Sequence, residues 1–351
     1  MNWVNYMTDE MYQKLNFYLN GVFKELEVND TFLIGNLLPL TLLGSDLLAL
    51  TRNYDLKSPE MRANLSYNEV YLLARQVIET IDKNYLKYYD KLIETGELDF
   101  DYEGKYDDSG CTHFFDTGKN IINIHRKFNY LDVSTLVHEF MHYTNSLTKE
   151  VSINRHILTE AISIYFEEYA KRNLLGKGID QSELWLNERL YLTSRSIKSF
   201  QNYNLILLAY SKFGNIDENS YQMLSDFFIQ ISKSDFETMC INALQLLDKR
   251  SDEVDFEIKM EYGCIPDNYE QIRFSRLVRL VNVGYKYIFG TVVAYYALQH
   301  STLEKMVYLN NHINDAKNVN FNDALKLIDI DLSELSLDPI KEFLDRKGKT
   351  K

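Results

Sequence analysis

Two histidines four residues apart, His138 and His142, enclose a glutamate, Glu139, within a segment of helical apolar spacing. On an α-helix, positions i and i+4 lie on one face with their Cβ atoms about 5–6 Å apart. The two imidazoles can therefore bind the same metal ion, and Glu139 then lies close to its open side. This pattern requires a helix here and predicts a metal site on it.

A third ligand is expected from Glu160, eighteen residues after His142. A catalytic zinc ion takes three protein ligands and one water. The polar stretch 144–150 predicts a turn, and two antiparallel helices joined there would bring Glu160 beside the histidines. On the second helix Glu160, Ser163 and Glu167 share one face. We expect Glu167 to accept the remaining ring N–H of a ligand histidine.

The first of these helices has a recognisable start. Asp132 is a good candidate for its N-cap, because an aspartate side chain can accept hydrogen bonds from the first free backbone N–H groups. We expect Asp132, like Glu167, to support the site from outside the ligand set. The apolar face that follows is formed by Leu136, Val137, Phe140 and Met141.

Two other interpretations of this segment are open. The histidines could be ordinary core or surface residues, with Glu139 a solvated helix acid. Glu139 and His142 also form an ExxH motif, which is typical of di-iron four-helix bundles. That chemistry requires a second ExxH on another helix, and the sequence contains none.

Composition predicts a mostly α-helical globular protein. The chain of 351 residues is 45% hydrophobic and 25% charged, with only four prolines and fourteen glycines, which favours long helices over many-turned β-structure. An N-terminal helical region, 1–100, is expected to precede a catalytic region, 101–351, unless the two form one continuous domain. Helical patterns occur at 9–27, 32–52, 67–95, 132–148, 154–175, 182–201, 221–232, 235–249, 267–310 (with a break) and 338–346.

One short part of the chain has β character. Segments 111–116 and 120–125 are predicted strands, with 117–119 as the hairpin turn between them. A small sheet directly before the histidine helix offers an open edge that can pair with an extended peptide backbone.

Charge and apolar content limit the partners. The net charge of −13 argues against nucleic acid or an anionic membrane as partner. The apolar segment 32–50 contains Pro39 and Asp46, so we expect a buried helical hairpin there and not a membrane span. The N-terminus lacks the pattern of a secretory signal, and three scattered cysteines suggest no disulfide framework. These features favour a cytoplasmic protein with no membrane partner.

Several stretches occur in the same order as in a known family. They are N-I-I-N-I-H (120–125), L-D-V-S-T-L-V-H-E-F-M-H (131–142), the E-x-x-S-x-x-x-E pattern from Glu160 to Glu167, Y-K-Y-I-F-G (285–290) and A-L-K-L-I-D-I-D (324–331). Together they resemble the M3-type zinc oligopeptidases, the group of thimet oligopeptidase and oligopeptidase F. Met141 stands where that family usually has glycine. The chain resembles a shortened member.

The resemblance implies a mostly α, multi-helix fold of the zincin type (a gluzincin), with a short β-sheet next to the HExxH helix. It nominates Tyr285 and Tyr287 as phenolic donors to the oxyanion. The ligand pattern itself predicts one Zn²⁺ ion bound by His138, His142 and Glu160.

With zinc bound, Glu139 is expected to act as general base in the hydrolysis of short or unfolded peptides. Two alternatives are an inactive zinc-binding module that binds peptides and a dedicated protease for one protein partner, as in a toxin or effector. The oligomeric state is left open.

Overall fold

The computed structural model describes residues 6–29, 31–54, 56, 63–100, 110–114, 120–145, 153–180, 184, 187–227, 231–315 and 321–348. These residues are mostly helical, with one small three-stranded sheet. The composition-based prediction of a mostly α protein with a short sheet is therefore confirmed. The predicted hairpin turn 117–119 lies outside the described residues.

The elements follow one another as a series of helices interrupted once by the sheet. The helices are α1 (Asp9–Asn29), α2 (Thr31–Arg52), α3 (Tyr67–Ile81), α4 (Leu86–Tyr89), α5 (Lys91–Glu94), α6 (Leu131–Thr144), α7 (Ile153–Gly176), α8 (Glu188–Phe213), α9 (Ser220–Phe227), α10 (Lys233–Tyr262), α11 (Tyr269–Val281), α12 (Val283–His300), α13 (Leu303–Asp315), α14 (Phe321–Lys326) and α15 (Asp338–Gly348). The strands are β1 (Leu98–Asp99), β2 (Gly110–Phe114) and β3 (Asn120–Ile124).

Several predicted helices have different bounds in the structure. The single helix expected over 67–95 is wrong, because α3 ends at Ile81, and its C-cap Asp82 has an extended backbone and a side chain that caps the short 3₁₀ turn that follows. The helix expected over 182–201 is α8, which continues to Phe213. Similarly, α10 continues well beyond residue 249, to a C-cap at Gly263 with the positive φ of 68° that suits glycine.

The hairpin expected over 32–50 is also wrong. This segment is one continuous helix, α2, with Pro39 inside it. By length and composition α2 is apolar enough to cross a membrane, and 39% of its most apolar window is buried. α11 and α12, which meet at a bend of 42°, are also long and apolar enough to cross a membrane when they are taken together. The cytoplasmic location stays a prediction.

The chain divides into two compact units. The first comprises Met1–Ala49 and Ser194–Ile288, and the second Leu50–Thr193 and Phe289–Lys351. The division near residue 100 that the sequence suggested stays a prediction.

The first unit is a helical assembly in which α1 packs against α10 and α11. Lys14 Nζ lies 2.7 Å from Asp248 Oδ1, which joins α1 to α10. Gly21 allows α1 to approach α11 closely, since a Cβ atom there would lie 2.2 Å from the ring of Phe274. A methyl group at this position would therefore force the two helices apart.

The second unit contains the sheet, with strand order β1-β3-β2. β1 runs parallel to β3, and β2 is antiparallel to β3, with Thr112 opposite Ile122. The pairing of the two strands expected from the sequence is confirmed, while β1 was not anticipated. Ile122 and Ile124 are fully buried, and β2 and β3 both contact α6. The sheet therefore forms one wall around that helix.

α6 is enclosed on all sides. Every residue from Leu131 to Met141 is buried, including both polar residues of the motif that lie in this stretch, His138 and Glu139. The helix contacts α3, α7, β2 and β3. A helix in this position need not be amphipathic, so polar side chains can occur on it among apolar neighbours.

The predicted N-cap role of Asp132 is wrong. α6 begins at Leu131 after Tyr130, which makes no side-chain cap, and Asp132 lies inside the first turn. Its carboxylate instead accepts hydrogen bonds from the backbone N–H groups of Lys127 and Phe128, both at 2.9 Å. Burial raises the pKa of Asp132, although these bonds and Arg126 oppose the shift. Asp132 therefore anchors the turn from β3 into α6.

That turn contains an unusual backbone conformation. Phe128 has a φ of 58°, in the left-handed region that disfavours a bulky residue. Its carbonyl oxygen accepts a hydrogen bond of 3.2 Å from Leu65 N, and the Arg126 guanidinium lies 4.4 Å from its ring centroid. These contacts, together with Asp132, hold the turn in place.

We predict that Asp132→Ala destabilises the protein by about 1–3 kcal/mol, because it leaves two partly buried backbone donors without an acceptor. Asp132→Asn, which keeps one acceptor oxygen, should lose less stability than Asp132→Ala. Urea unfolding of the two variants measures the difference. Equal stability of Asp132→Ala and the unchanged protein would contradict the anchoring role.

Candidate metal centre

The two histidines of α6 and Glu160 of α7 come together in the second unit. His138 Nε2 lies 3.2 Å from His142 Nε2. The Glu160 carboxylate places Oε1 3.6 Å from His138 Nε2 and Oε2 3.5 Å from His142 Nε2. His138 and Glu160 are buried, and the side chain of His142 is 13% exposed. These three residues form a group that could bind a metal ion.

The packing of α6 against α7 produces this convergence. Glu160 contacts both histidines, while Glu167, about two turns later on α7, contacts the earlier histidine, His138. The two helices therefore run antiparallel, the arrangement that the sequence predicted. Burial lowers the pKa of His142, although Glu160 opposes this shift. A neutral imidazole is the form that binds a metal.

The far side of His138 is held by a carboxylate. Glu167 Oε2 lies 3.0 Å from His138 Nδ1. An acceptor at Nδ1 fixes the tautomer that leaves Nε2 free to bind a cation. Arg189, at the start of α8, donates from Nε to the same Glu167 oxygen at 2.7 Å, and its Nη2 lies 3.4 Å from His138 Nδ1.

Glu167 belongs to a buried cluster of four charged side chains. Lys171 Nζ lies 3.0 Å from both Glu167 Oε1 and Glu168 Oε1. Burial alone would raise the pKa of Glu167, but Arg189 and Lys171 hold it well below its usual range. Burial raises the pKa of Glu168 despite Lys171. The two cations balance the two carboxylates, so the ionised Glu167 can remain an acceptor for His138.

Glu139 faces the sheet. Thr112 Oγ1, on β2, lies 2.8 Å from Glu139 Oε2 and 3.0 Å from the Glu139 carbonyl oxygen. The carboxylate is buried and is held by a hydroxyl donor from a different element. The charge of Glu139 acts on His142, where it opposes the lowering of the imidazole pKa, which links the carboxylate electrostatically to the three-residue group.

Gly290, on α12, packs directly against Glu160, the residue expected to be the third ligand. A Cβ atom there would lie 3.1 Å from both Cβ and Cγ of Glu160 and 3.3 Å from the backbone nitrogen of Ala161. Such contacts are tighter than ordinary packing, and one of them involves backbone that cannot rotate away. The absence of a side chain at residue 290 therefore allows α12 to pack directly on Glu160.

Glu167 contacts His138 as expected, whereas Asp132 lies in the first turn of α6 and binds the preceding turn. Tyr285 is fully buried in the first unit, where its hydroxyl lies 3.0 Å from Thr41 Oγ1 and burial raises its pKa. Tyr287 is half-buried, with Lys286 Nζ 5.0 Å from its ring centroid. The role of either tyrosine as a donor stays a prediction.

Three residues of the site were not foreseen. Lys171 had a weak signal, because it continues a series of charged residues in the otherwise apolar α7 sequence. Arg189 and Thr112 had none, since their contacts with Glu167 and Glu139 join residues more than twenty positions apart. Only the folded chain reveals them.

Comparisons of this chain with protein-family profiles, with curated protein sequences and with solved structures found no match. The class of protein is therefore defined by the fold and the site alone. It is a mostly helical protein whose described residues include a buried two-histidine, one-glutamate group suited to a metal ion.

We predict that Gly290→Ala weakens metal binding about tenfold or more, because the new methyl group displaces Glu160. The matched control is Gly176→Ala at the end of α7, where a Cβ atom meets nothing within 4 Å. Competition with a chelator of known affinity measures the metal affinity of both variants. Equal affinities for the two variants would show that α12 does not position Glu160.

Proposed function

We propose that this protein is a zinc-dependent metallopeptidase that hydrolyses short or unfolded peptides. The observation that carries the proposal is the convergence of His138, His142 and Glu160, together with Glu139, whose charge acts on His142. The sequence resemblance to M3-type oligopeptidases supports the same assignment. Its E-x-x-S-x-x-x-E pattern corresponds to Glu160, Ser163 and Glu167, all of them buried on α7.

The donor set fits zinc better than the common alkaline-earth ions. Bonds of about 2.0–2.2 Å in a tetrahedron separate neighbouring ligand atoms by about 3.3–3.6 Å. The two histidine nitrogens are 3.2 Å apart, and each lies close to a different oxygen of Glu160, Oε1 at 3.6 Å from His138 Nε2 and Oε2 at 3.5 Å from His142 Nε2. Ca²⁺ and Mg²⁺ prefer sets of oxygen ligands, whereas imidazole favours zinc and its transition-metal neighbours. Three protein ligands leave one tetrahedral position for water, as in catalytic zinc sites.

The residues of the chain have distinct roles in the proposed reaction. Bound zinc supplies a water of lowered pKa and a Lewis acid for the scissile carbonyl. Glu139 removes a proton from the attacking water and delivers it to the nitrogen of the leaving amine. Glu167, with Arg189 and Lys171, holds His138 in the ligand tautomer. Gly290 permits the packing that fixes Glu160.

Burial and the sheet favour an extended peptide as substrate. The side chains of His138 and Glu160 are almost fully buried, so a substrate must enter a recessed centre. β2 is an edge strand in the part of the sheet that the structure describes. An extended peptide can pair with such an edge through backbone hydrogen bonds, which gives affinity with little side-chain selectivity.

We predict that Glu139→Gln binds zinc like the unchanged protein but loses about 100-fold or more in kcat, because the amide cannot accept the water proton. Glu94→Gln, at an exposed glutamate, is the control. Mass spectrometry of products from a mixed peptide library, followed by kinetics on one cleaved peptide, measures the effect.

Unchanged cleavage by Glu139→Gln would remove Glu139 from this role. A zinc-loaded protein that binds library peptides without cutting any would favour the non-hydrolytic module. Cleavage of one protein but of no library peptide would favour the dedicated protease.

We also predict that a chelator abolishes hydrolysis and that Zn²⁺, but neither Mg²⁺ nor Ca²⁺, restores it. Zinc at a hundredfold excess over its Kd should stabilise the folded protein by about 3 kcal/mol. Thermal unfolding with and without zinc measures this, and chelator already saturated with zinc is the control. Full activity in metal-free protein would contradict the proposal.

A further inference from the structure

The hydroxyl of Thr112 links the sheet to the proposed general base. Thr112 Oγ1 lies 2.8 Å from Glu139 Oε2, well within the range of an O–H···O⁻ hydrogen bond. A carboxylate has no proton to donate at neutral pH, so the threonine is the donor. The same oxygen lies 3.0 Å from the Glu139 carbonyl. One side chain on β2 therefore contacts both the backbone and the carboxylate of Glu139.

The strand register explains why Thr112 points towards α6. Thr112 is directly opposite Ile122, and directly opposed residues of an antiparallel pair point to the same face of a sheet. Ile122 is fully buried. The neighbouring pair, Cys111 and Asn123, alternates to the other face, where the Asn123 amide lies 3.9 Å from Cys111 Sγ.

The contact engages one oxygen of the Glu139 carboxylate. Oε2 accepts a hydrogen bond from Thr112, so in the proposed reaction we assign proton transfer to the other oxygen, Oε1. A carboxylate held at one oxygen by a donor from a neighbouring strand loses part of its rotational freedom. Geometry fixed in this way contributes to rate, because a small displacement of a catalytic group is costly.

We propose that Thr112 is a positioning residue for the general base: it holds Glu139 Oε2 so that Oε1 takes the proton of the attacking water and passes it to the leaving nitrogen. This inference rests on the proposed function. It also joins two parts of the site, since the strand that carries Thr112 is the edge at which a peptide backbone can pair.

The test compares Thr112→Val, which keeps the shape and removes the hydroxyl, with Thr112→Ser, which keeps the hydroxyl. In the zinc-loaded protein we expect Thr112→Val to lower kcat about 10- to 100-fold while KM changes little. Thr112→Ser should restore most of the rate. The control is Thr95→Val, whose exposed hydroxyl bonds only to the Lys91 carbonyl among the described contacts.

Two further measurements separate positioning from general damage. Zinc affinity, measured by chelator competition, should be the same in Thr112→Val as in the unchanged protein. In thermal unfolding, the losses from Thr112→Val and Glu139→Ala should be non-additive, because each removes the hydrogen bond between the hydroxyl and the carboxylate. Where Thr112→Val does not fold, Thr112→Ala replaces it in every comparison.

The outcomes are distinct. If the unchanged protein is active and Thr112→Val has the same kcat, this inference alone is overturned. Loss of zinc affinity in Thr112→Val, or failure of Thr112→Ser to restore the rate, overturns it as well. Additive stability losses also overturn it. A zinc-loaded unchanged protein that cleaves nothing overturns the proposed function and this inference together.

Discussion

The contact between the His138 imidazole of α6 and the ionised Glu167 of α7 is the interaction on which the site depends. Removing a carboxylate or an ammonium group from water costs several kcal/mol per ion. Glu167 is accommodated because Arg189 and Lys171 contact it, and Lys171 also contacts Glu168. A shift of α6 along α7 by one helical turn, about 5.4 Å, would separate His138 from Glu167 and leave this carboxylate without its imidazole partner. The contact therefore favours the register in which the two histidines meet Glu160.

Each functional side chain is fixed by a different neighbouring element. His138 is held through Glu167 by the start of α8, Glu160 is confined by Gly290 of α12, and Glu139 is held by Thr112 of β2. The geometry of the group thus results from the surrounding fold and is not a property of the motif alone. Such support is what a metal site needs in order to bind its ion without rearrangement.

Local sequence was sufficient to predict the positions of side chains that depend on helical periodicity. The spacing of His138 and His142, and the position of Glu160 on the next helix, follow from 3.6 residues per turn and one polar turn. The paired strands followed from β-type residues on either side of a glycine-containing turn. Local sequence failed where distant packing decides. Pro39 indicated a break, yet α2 continues through it. Asp132 has the residue type of a cap, but its hydrogen-bond donors belong to the preceding turn.

The left-handed Phe128 has a consequence for how this chain can change in length. The conformation costs about 1–2 kcal/mol for a residue with a side chain, and it persists because Leu65 and Asp132 bind its backbone on both sides. Only six residues separate the end of β3 from the start of α6. Inserting or deleting one residue in this connector would move Phe128 out of register with Leu65 and Asp132, which bind its backbone. Changes in length that a surface loop accepts would here cost the contacts that hold the start of α6.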